Sequence, residues 1–138
     1  MVKSPGDAVS AVAVSALRAQ QARMRIIAEN IANSSSTAKT PGGEPYRRQV
    51  PVFKVDDIEG AKGVALARVE PDTSPFPQEY DPSHPAANKD GYVLLPNVSG
   101  MIETMDMQSA IRAYEANLNI LENQDAIDKS SLSILDKG

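Results

Sequence analysis

Proline sets the frame. Of ten prolines, Pro5 stands alone near the start, and the other nine fall between Pro41 and Pro96. Proline removes a helix hydrogen bond and clashes with the preceding turn, so long helices fit only before Pro41 and after Pro96. The chain is therefore read in three parts: an N-terminal helical arm and linker (residues 1–40), a small β-rich middle domain (41–96) and a C-terminal long helix (97–138). The expected fold class is mainly α, with two long terminal helices forming a coiled-coil-like pair and the middle domain carrying an extended Pro-rich loop.

The first arm opens with Ser4-Pro5-Gly6-Asp7. Ser4 can cap, Pro5 suits the first helical position, and Asp7 stands where a capping box needs an acid. Ala13, Leu17, Gln20, Met24, Ile27 and Ile31 then recur at spacings of four and three, a heptad seam. Asn33 and Ser34-Ser35-Ser36-Thr37 end it, because small polar side chains compete for backbone hydrogen bonds. The Ala/Val stretch after Lys3 imitates a signal peptide. Its apolar positions continue in phase past any cleavage point, and Asp7, Ser10 and Ser15 interrupt it, so it reads as mature helix.

The second arm starts near Asn97 or Ser99, either of which can cap. Met107, Ile111, Tyr114, Leu118 and Leu121 alternate by four and three; the seam then meets Asp125 and Asp128 before Leu132 and Leu135. A second apolar line, Ile120, Ile127 and Ile134, runs beside it at sevenfold spacing. Two lines can touch more than one neighbour. An unbroken helix of this arm would be roughly 58 Å long. A compact globule of this chain length is only about 37 Å across. Either the helix breaks, as a kinked helix in a small bundle, or the molecule is elongated and its apolar lines are covered by other subunits. Charge agrees: Lys3, Arg18, Arg23 and Arg25 against Asp7 and Glu29 leave the first arm at +2. Seven acids against Arg112, Lys129 and Lys137 leave the second arm at −4. Opposite signs favour pairing of the arms, within a subunit or between subunits.

In the middle, Tyr46 to Val55, Gly63 to Glu70 and Tyr92 to Leu95 are candidate strands, with Pro51 confining the first to an edge or bulge. Asp90-Gly91 marks a turn, and the five prolines from Pro71 to Pro85 mark an extended surface loop. Tyr46, Phe53, Phe76, Tyr80 and Tyr92, five of the six aromatic residues, fall here and are the candidate core.

Chemistry is sparse. The net charge of −4 argues against nucleic acid as a main partner, and Arg47-Arg48 is too small a basic patch to reverse that. No apolar run approaches the ~20 residues that span a membrane. The absence of cysteine excludes disulfides and thiolate zinc sites. Asp81, Ser83 and His84 contain the residue types of a hydrolase triad, but neighbours in a proline-rich loop rarely converge in triad geometry. His84, the one histidine, lacks partners at metal-ligand spacing and reads as a turn or surface residue. Asp56, Asp57 and Glu59 lack the glycine and last acid of a calcium loop, and read as a solvated turn. Gly42-Gly43 is not followed by a phosphate-loop helix start. No catalytic residue, cofactor or metal is assigned. On periodicity alone, a helical adaptor binding a partner by coiled-coil pairing fits as well as a subunit of an open assembly.

Four segments resemble the flagellar proximal rod family, of the FlgC type. They are Ala19-Gln20 with Ile27-Ala28-Glu29-Asn30-Ile31-Ala32-Asn33; Pro45-Tyr46-Arg47-Arg48-Gln49; Asp81-Pro82-Ser83-His84-Pro85-Ala86-Ala87 running on to Gly91-Tyr92-Val93 and Pro96-Asn97-Val98; and Glu103-Thr104-Met105-Asp106-Met107 with Arg112-Ala113-Tyr114-Glu115-Ala116-Asn117. The first and fourth are shared broadly by rod and hook proteins, whereas the second and third point to this subtype. The resemblance implies a structural protein with no catalytic site or cofactor. It implies export, without a cleaved signal peptide, through the flagellar type III apparatus, and a place in the basal body spanning the periplasm. It implies polymerisation into a rod that transmits torque, with terminal helices forming the wall of the export channel and the middle domain outside. The partners implied are copies of itself, other rod proteins and the adaptor at the membrane (MS) ring. Asn30, Asn33, Tyr46, Arg47, Arg48, Asp81, His84, Tyr92, Asn97, Glu115 and Asn117 map onto the family's motifs. Beyond Asn117 the chain departs from the pattern, with Asn123-Gln124-Asp125-Ala126 and Asp128 placing extra polar residues on the seam.

Overall fold

The computed structural model describes residues 4–137. Its elements run α1 (Pro5–Ala32), β1 (Gln49–Ile58), β2 (Ala61–Pro71), β3 (Gln78–Tyr80), β4 (Tyr92–Leu94) and α2 (Gly100–Asp136). About half the chain is helical, in the two terminal helices, and the part between them holds two two-stranded sheets, β1 with β2 and β3 with β4.

The helix ends follow local chemistry. The Asp7 amide donates to the Ser4 hydroxyl at 3.2 Å, satisfying one of the donors that a helix start leaves over. At the other end of α1, the Asn33 side-chain amide donates to the Glu29 carbonyl at 2.9 Å, and Asn33 Oδ1 accepts the Ser36 hydroxyl at 3.0 Å. Ser99 caps α2: its carbonyl accepts the Glu103 amide at 2.9 Å, and its hydroxyl accepts the Ile102 amide at 3.5 Å. Asn97, the other candidate, is occupied elsewhere. With 37 residues unbroken by proline, α2 is about 55 Å long.

The middle departs from expectation in two places. The first strand begins at Gln49 instead of Tyr46, because the preceding donors are committed outside a ladder. The Tyr46 amide goes to the Ser36 carbonyl at 2.9 Å and the Arg48 amide to Asn97 Oδ1 at 2.7 Å. The strand continues to Ile58, taking in Asp56 and Asp57, and turns over Glu59-Gly60. Both turn residues have positive φ, 52° and 87°, as a two-residue hairpin matching strand twist requires. The second departure lies in the Pro71–Pro85 stretch, expected to be loop throughout. It contains β3, which pairs antiparallel with β4 in the register Gln78 with Leu94, Glu79 with Val93 and Tyr80 with Tyr92. Prolines flank β3 but none lies inside it, so its amides remain available.

The chain divides into two compact units. One comprises the chain up to Met24, Val52–Arg68 and the chain from Gln108 onward. Its core is small: Ala13, Ser15, Ala19, Gly63 and Ala110 are buried. The Ser15 hydroxyl donates to the Val12 carbonyl at 2.7 Å and accepts the Val64 amide at 3.2 Å, which fixes β2 against α1. A Cβ on Gly63 would meet Ser15 Oγ and the Ile58 side chain, so only hydrogen fits this approach. The other unit comprises Arg25–Pro51 and Val69–Met107, around buried Ile26, Ile27, Ala86 and Val93. It also buries two polar side chains, Asn30 and Glu103.

Candidate assembly surface

On α2 the buried face is not the apolar one. Glu103 and Ala110 are buried, and Asn117 and Gln124, the next positions at sevenfold spacing, are half-buried. Tyr114, Leu118 and Leu121 flank this row and are half-buried; Glu115 is exposed. The large apolar residues Ile111, Ile120, Ile127 and Ile134 are all exposed, as are Leu132 and Leu135. From Asp125 to Lys137 every residue is exposed. The helix thus turns small and polar groups toward its own chain and leaves a sevenfold apolar row open. On α1, Ile27 is buried, Leu17 and Met24 are half-buried, and Ile31 is exposed. Between Val9, Val12 and Ala13 of α1, Ala61 of β2, and Asn117 and Ile120 of α2 lies an apolar recess of about 370 Å³.

In the second unit, five of the predicted motif residues, Asn30, Tyr46, Arg47, Arg48 and Asn97, form one polar network. Asn30 makes three hydrogen bonds: its Oδ1 accepts the Tyr46 hydroxyl at 2.7 Å and the Gln49 amide at 2.9 Å, and its Nδ2 donates to the Gln49 carbonyl at 2.8 Å. It thereby imitates a strand partner for Gln49 at the end of a helix. Burial first, then the carboxylates of Glu29 and Glu103, push the Tyr46 phenol above its usual range, so it stays a donor. Arg47 lies over the Phe76 ring at 4.1 Å and donates to the Asp72 carbonyl at 2.8 Å.

Arg48 is the centre. Its Nε donates to Glu103 Oε1, its Nη1 meets Asp72 Oδ2 at 3.1 Å, and its Nη2 lies 3.7 Å from Asp106 Oδ2. Asn97 accepts the Arg48 amide and donates to the carbonyls of Asp72 and Ser74, both at 3.1 Å. Burial opposes the Arg48 charge, but the bonds and charges of Glu103 and Asp72 outweigh it and raise the guanidinium above its ordinary value. Asp72 is held below the usual carboxylate range by hydrogen bonds from the Ser74 hydroxyl and amide, with help from Arg48. Sequence reasoning gave Asp72, Asp106 and Glu103 no role. Glu103 and Asp106 fall in the fourth resembling segment, the one sequence signal for them, and Asp72 falls in none.

Asp81, Ser83 and His84 are brought together, but not as a catalytic set. The Ser83 hydroxyl donates to Asp81 Oδ1 at 3.0 Å, and His84 Nδ1 accepts the Ala86 amide at 3.0 Å. A base whose lone pair is engaged by a backbone amide cannot take the serine proton. The three residues shape a turn. Tyr92 is exposed and meets Tyr80 edge-on, with ring centroids 5.3 Å apart. Asn117 donates to the Ala113 carbonyl of its own helix at 2.8 Å. Among the described residues, no group of three His, Cys, Asp or Glu could hold a metal ion, and no helix is long and apolar enough to cross a membrane.

Two family patterns match the chain: the flagella basal body rod protein family over residues 11–38, and the C-terminal region of flagellar basal body rod FlgEFG proteins over residues 89–134. Among characterised relatives, flagellar basal-body rod protein FlgC of Agrobacterium fabrum is 41% identical, covering 95% of this chain and 96% of its own. FlgC of Borreliella burgdorferi is 41% identical over 90% of this chain and 93% of its own. FlgC of Salmonella typhimurium is 37% identical over 89% and 92%.

Proposed function

Because the chain belongs to the FlgC family of flagellar basal-body rod proteins, a structural and non-enzymatic family, we propose that it polymerises helically through its terminal helices into the proximal rod. In this reading the rod is the drive shaft that transmits torque, and the paired helices form the wall of the export channel. The observation that carries the reading is the open row Ile120, Ile127 and Ile134 on α2, with Leu132 and Leu135 of the neighbouring seam also exposed. Apolar surface of this regularity is costly in water and gains about 25 cal/mol per Å² when covered. Heterologous covering, one face of a copy against a different face of the next, produces an open helical array, instead of a closed dimer, when the rotation between copies does not close.

Coiled-coil pairing of α1 with α2 belongs to the same proposal. It is supported by the recess that Val9, Val12 and Ala13 share with Asn117 and Ile120, and by the small residue Gly6 close to the side chains of Gln124 and Asp128. The partners proposed are other rod proteins, further copies, the adaptor at the MS ring and the flagellar type III export apparatus. The place proposed for the subunit within the basal body is the periplasm-spanning section, reached without cleavage of a signal peptide. The expectation of a non-flagellar helical adaptor gives way to the family membership. Mass spectrometry of detergent-washed basal bodies tests the proposal. The chain should persist through washes that strip loosely bound proteins, and its loss from otherwise intact basal bodies would contradict rod incorporation.

A further inference from the structure

The first turns of α2 are inside out. Met101, Ile102 and Met105 are 76%, 56% and 62% exposed, whereas Glu103 between them is fully buried. At 3.6 residues per turn, Met101 and Met105 lie about 160° round the helix from Glu103, and Ile102 about 100°. Hydropathy alone favours the opposite rotation, with Ile102 and Met105 inward and the carboxylate in water. What opposes it is Arg48, which holds Glu103 through Nε while its other nitrogens face Asp72 and Asp106. The arrangement is not optimised for stability, because Glu103 Oε2 is buried with no hydrogen-bond partner. A buried ion pair with an orphaned oxygen gains little over a well-packed apolar pair, and the best-attested role of such pairs is to specify one register.

We propose that the Arg48–Glu103 pair sets the rotational phase of α2 against its unit and so keeps Met101, Ile102 and Met105 on the surface. Arg48 and Glu103 are positioning residues in this account: the pair itself touches no partner, and it decides which side of the helix is presented. The guanidinium suits the task, since its planar fork reaches carboxylates from two separate chain segments at fixed angles, which lysine cannot do. Asn97 adds a second constraint by holding the Arg48 backbone from the residues just ahead of α2.

The test uses methionine oxidation by dilute peroxide on the purified full chain, read by peptide mass spectrometry, since exposed thioethers oxidise faster than buried ones. Wild type should oxidise readily at Met101 and Met105. The double variant Arg48→Leu/Glu103→Leu should stay folded by circular dichroism and melt no lower than wild type. Its Met101 and Met105 should oxidise several-fold more slowly, as the helix turns them inward. Glu103→Gln, which keeps an acceptor for Arg48, should oxidise like wild type. A folded double variant with unchanged oxidation would overturn the proposal, as the phase would then be set elsewhere. A double variant that unfolds would also overturn it, by making the pair a stabiliser. Motility in a complemented strain is a second readout, and it alone rests on the rod assignment: the double variant should be non-motile and Glu103→Gln motile. Altered oxidation with normal motility would leave the phase lock standing and count against the rod reading of this face.

Discussion

Removing Arg48 alone should be among the most damaging single changes in the chain. In Arg48→Leu, Glu103 stays fully buried and loses the donor on Oε1, while Oε2 has none to begin with. Asp72 keeps the Ser74 bonds, and Asp106 is partly exposed, so most of the cost falls on Glu103. Breaking one side of a buried pair costs about 3–5 kcal/mol. That is a large share of the ~5–15 kcal/mol that a domain has in total. At this chain length it corresponds to a fall in melting temperature of about 10–20 °C. Urea unfolding followed by far-UV circular dichroism measures it, as a lower midpoint at unchanged slope. A loss below about 1 kcal/mol, the range of exposed ion pairs, would refute the reasoning and place the Arg48–Glu103 pair effectively in solvent.

Other expectations follow from neighbouring contacts. Asn30→Ala leaves the Tyr46 hydroxyl and both Gln49 backbone groups without their partner and should cost about 2–3 kcal/mol in urea unfolding, whereas Tyr46→Phe should cost only about 1 kcal/mol. Gly63→Ala forces a methyl against Ser15 and Ile58 and should cost about 1–3 kcal/mol by thermal melting. The Asp72 carboxyl is depressed below its ordinary value of 3.8 in the folded chain. Its contribution is therefore present above that pH and lost as pH falls toward the folded value. The stability gap between wild type and Asp72→Asn should accordingly hold at neutral pH and close in acid, and a gap that widened in acid would reverse the sign.

Much of the fold is legible because proline and caps act locally. Nine prolines confined to the middle mark off both helices, and Ser4 and Ser99 mark their starts. The hairpin turn is harder to read, since Glu59 takes a left-handed conformation that a residue other than glycine, asparagine or aspartate seldom adopts. The strand β3 is hidden because the flanking Pro77 and Pro82 outweigh the four residues with amides between them. Burial of Glu103 is the least legible feature. A carboxylate beside Met101 and Ile102 reads as the solvated side of an amphipathic turn, and the arginine that overrides this lies 55 residues away in sequence. Asn97 shows the same limit: it suits a cap by position, yet it serves as a long-range link to Arg48 and Asp72. Long-range polar pairing leaves no periodicity, so only the motif resemblance pointed to Arg48, and to Asn97 as anything but a cap.

The central claim is that the exposed apolar row of α2 is covered in the rod. Replacing Ile127 and Ile134 together by Asp tests it most directly, in a strain lacking its own copy, with Ile→Leu at both positions as control. Both residues are exposed, so the purified aspartate variant should match the stability of wild type to within about 0.5 kcal/mol. The account predicts that this variant is missing from basal bodies and leaves the cells non-motile, while the leucine variant assembles. A stable aspartate variant that enters the rod and restores swimming would contradict it.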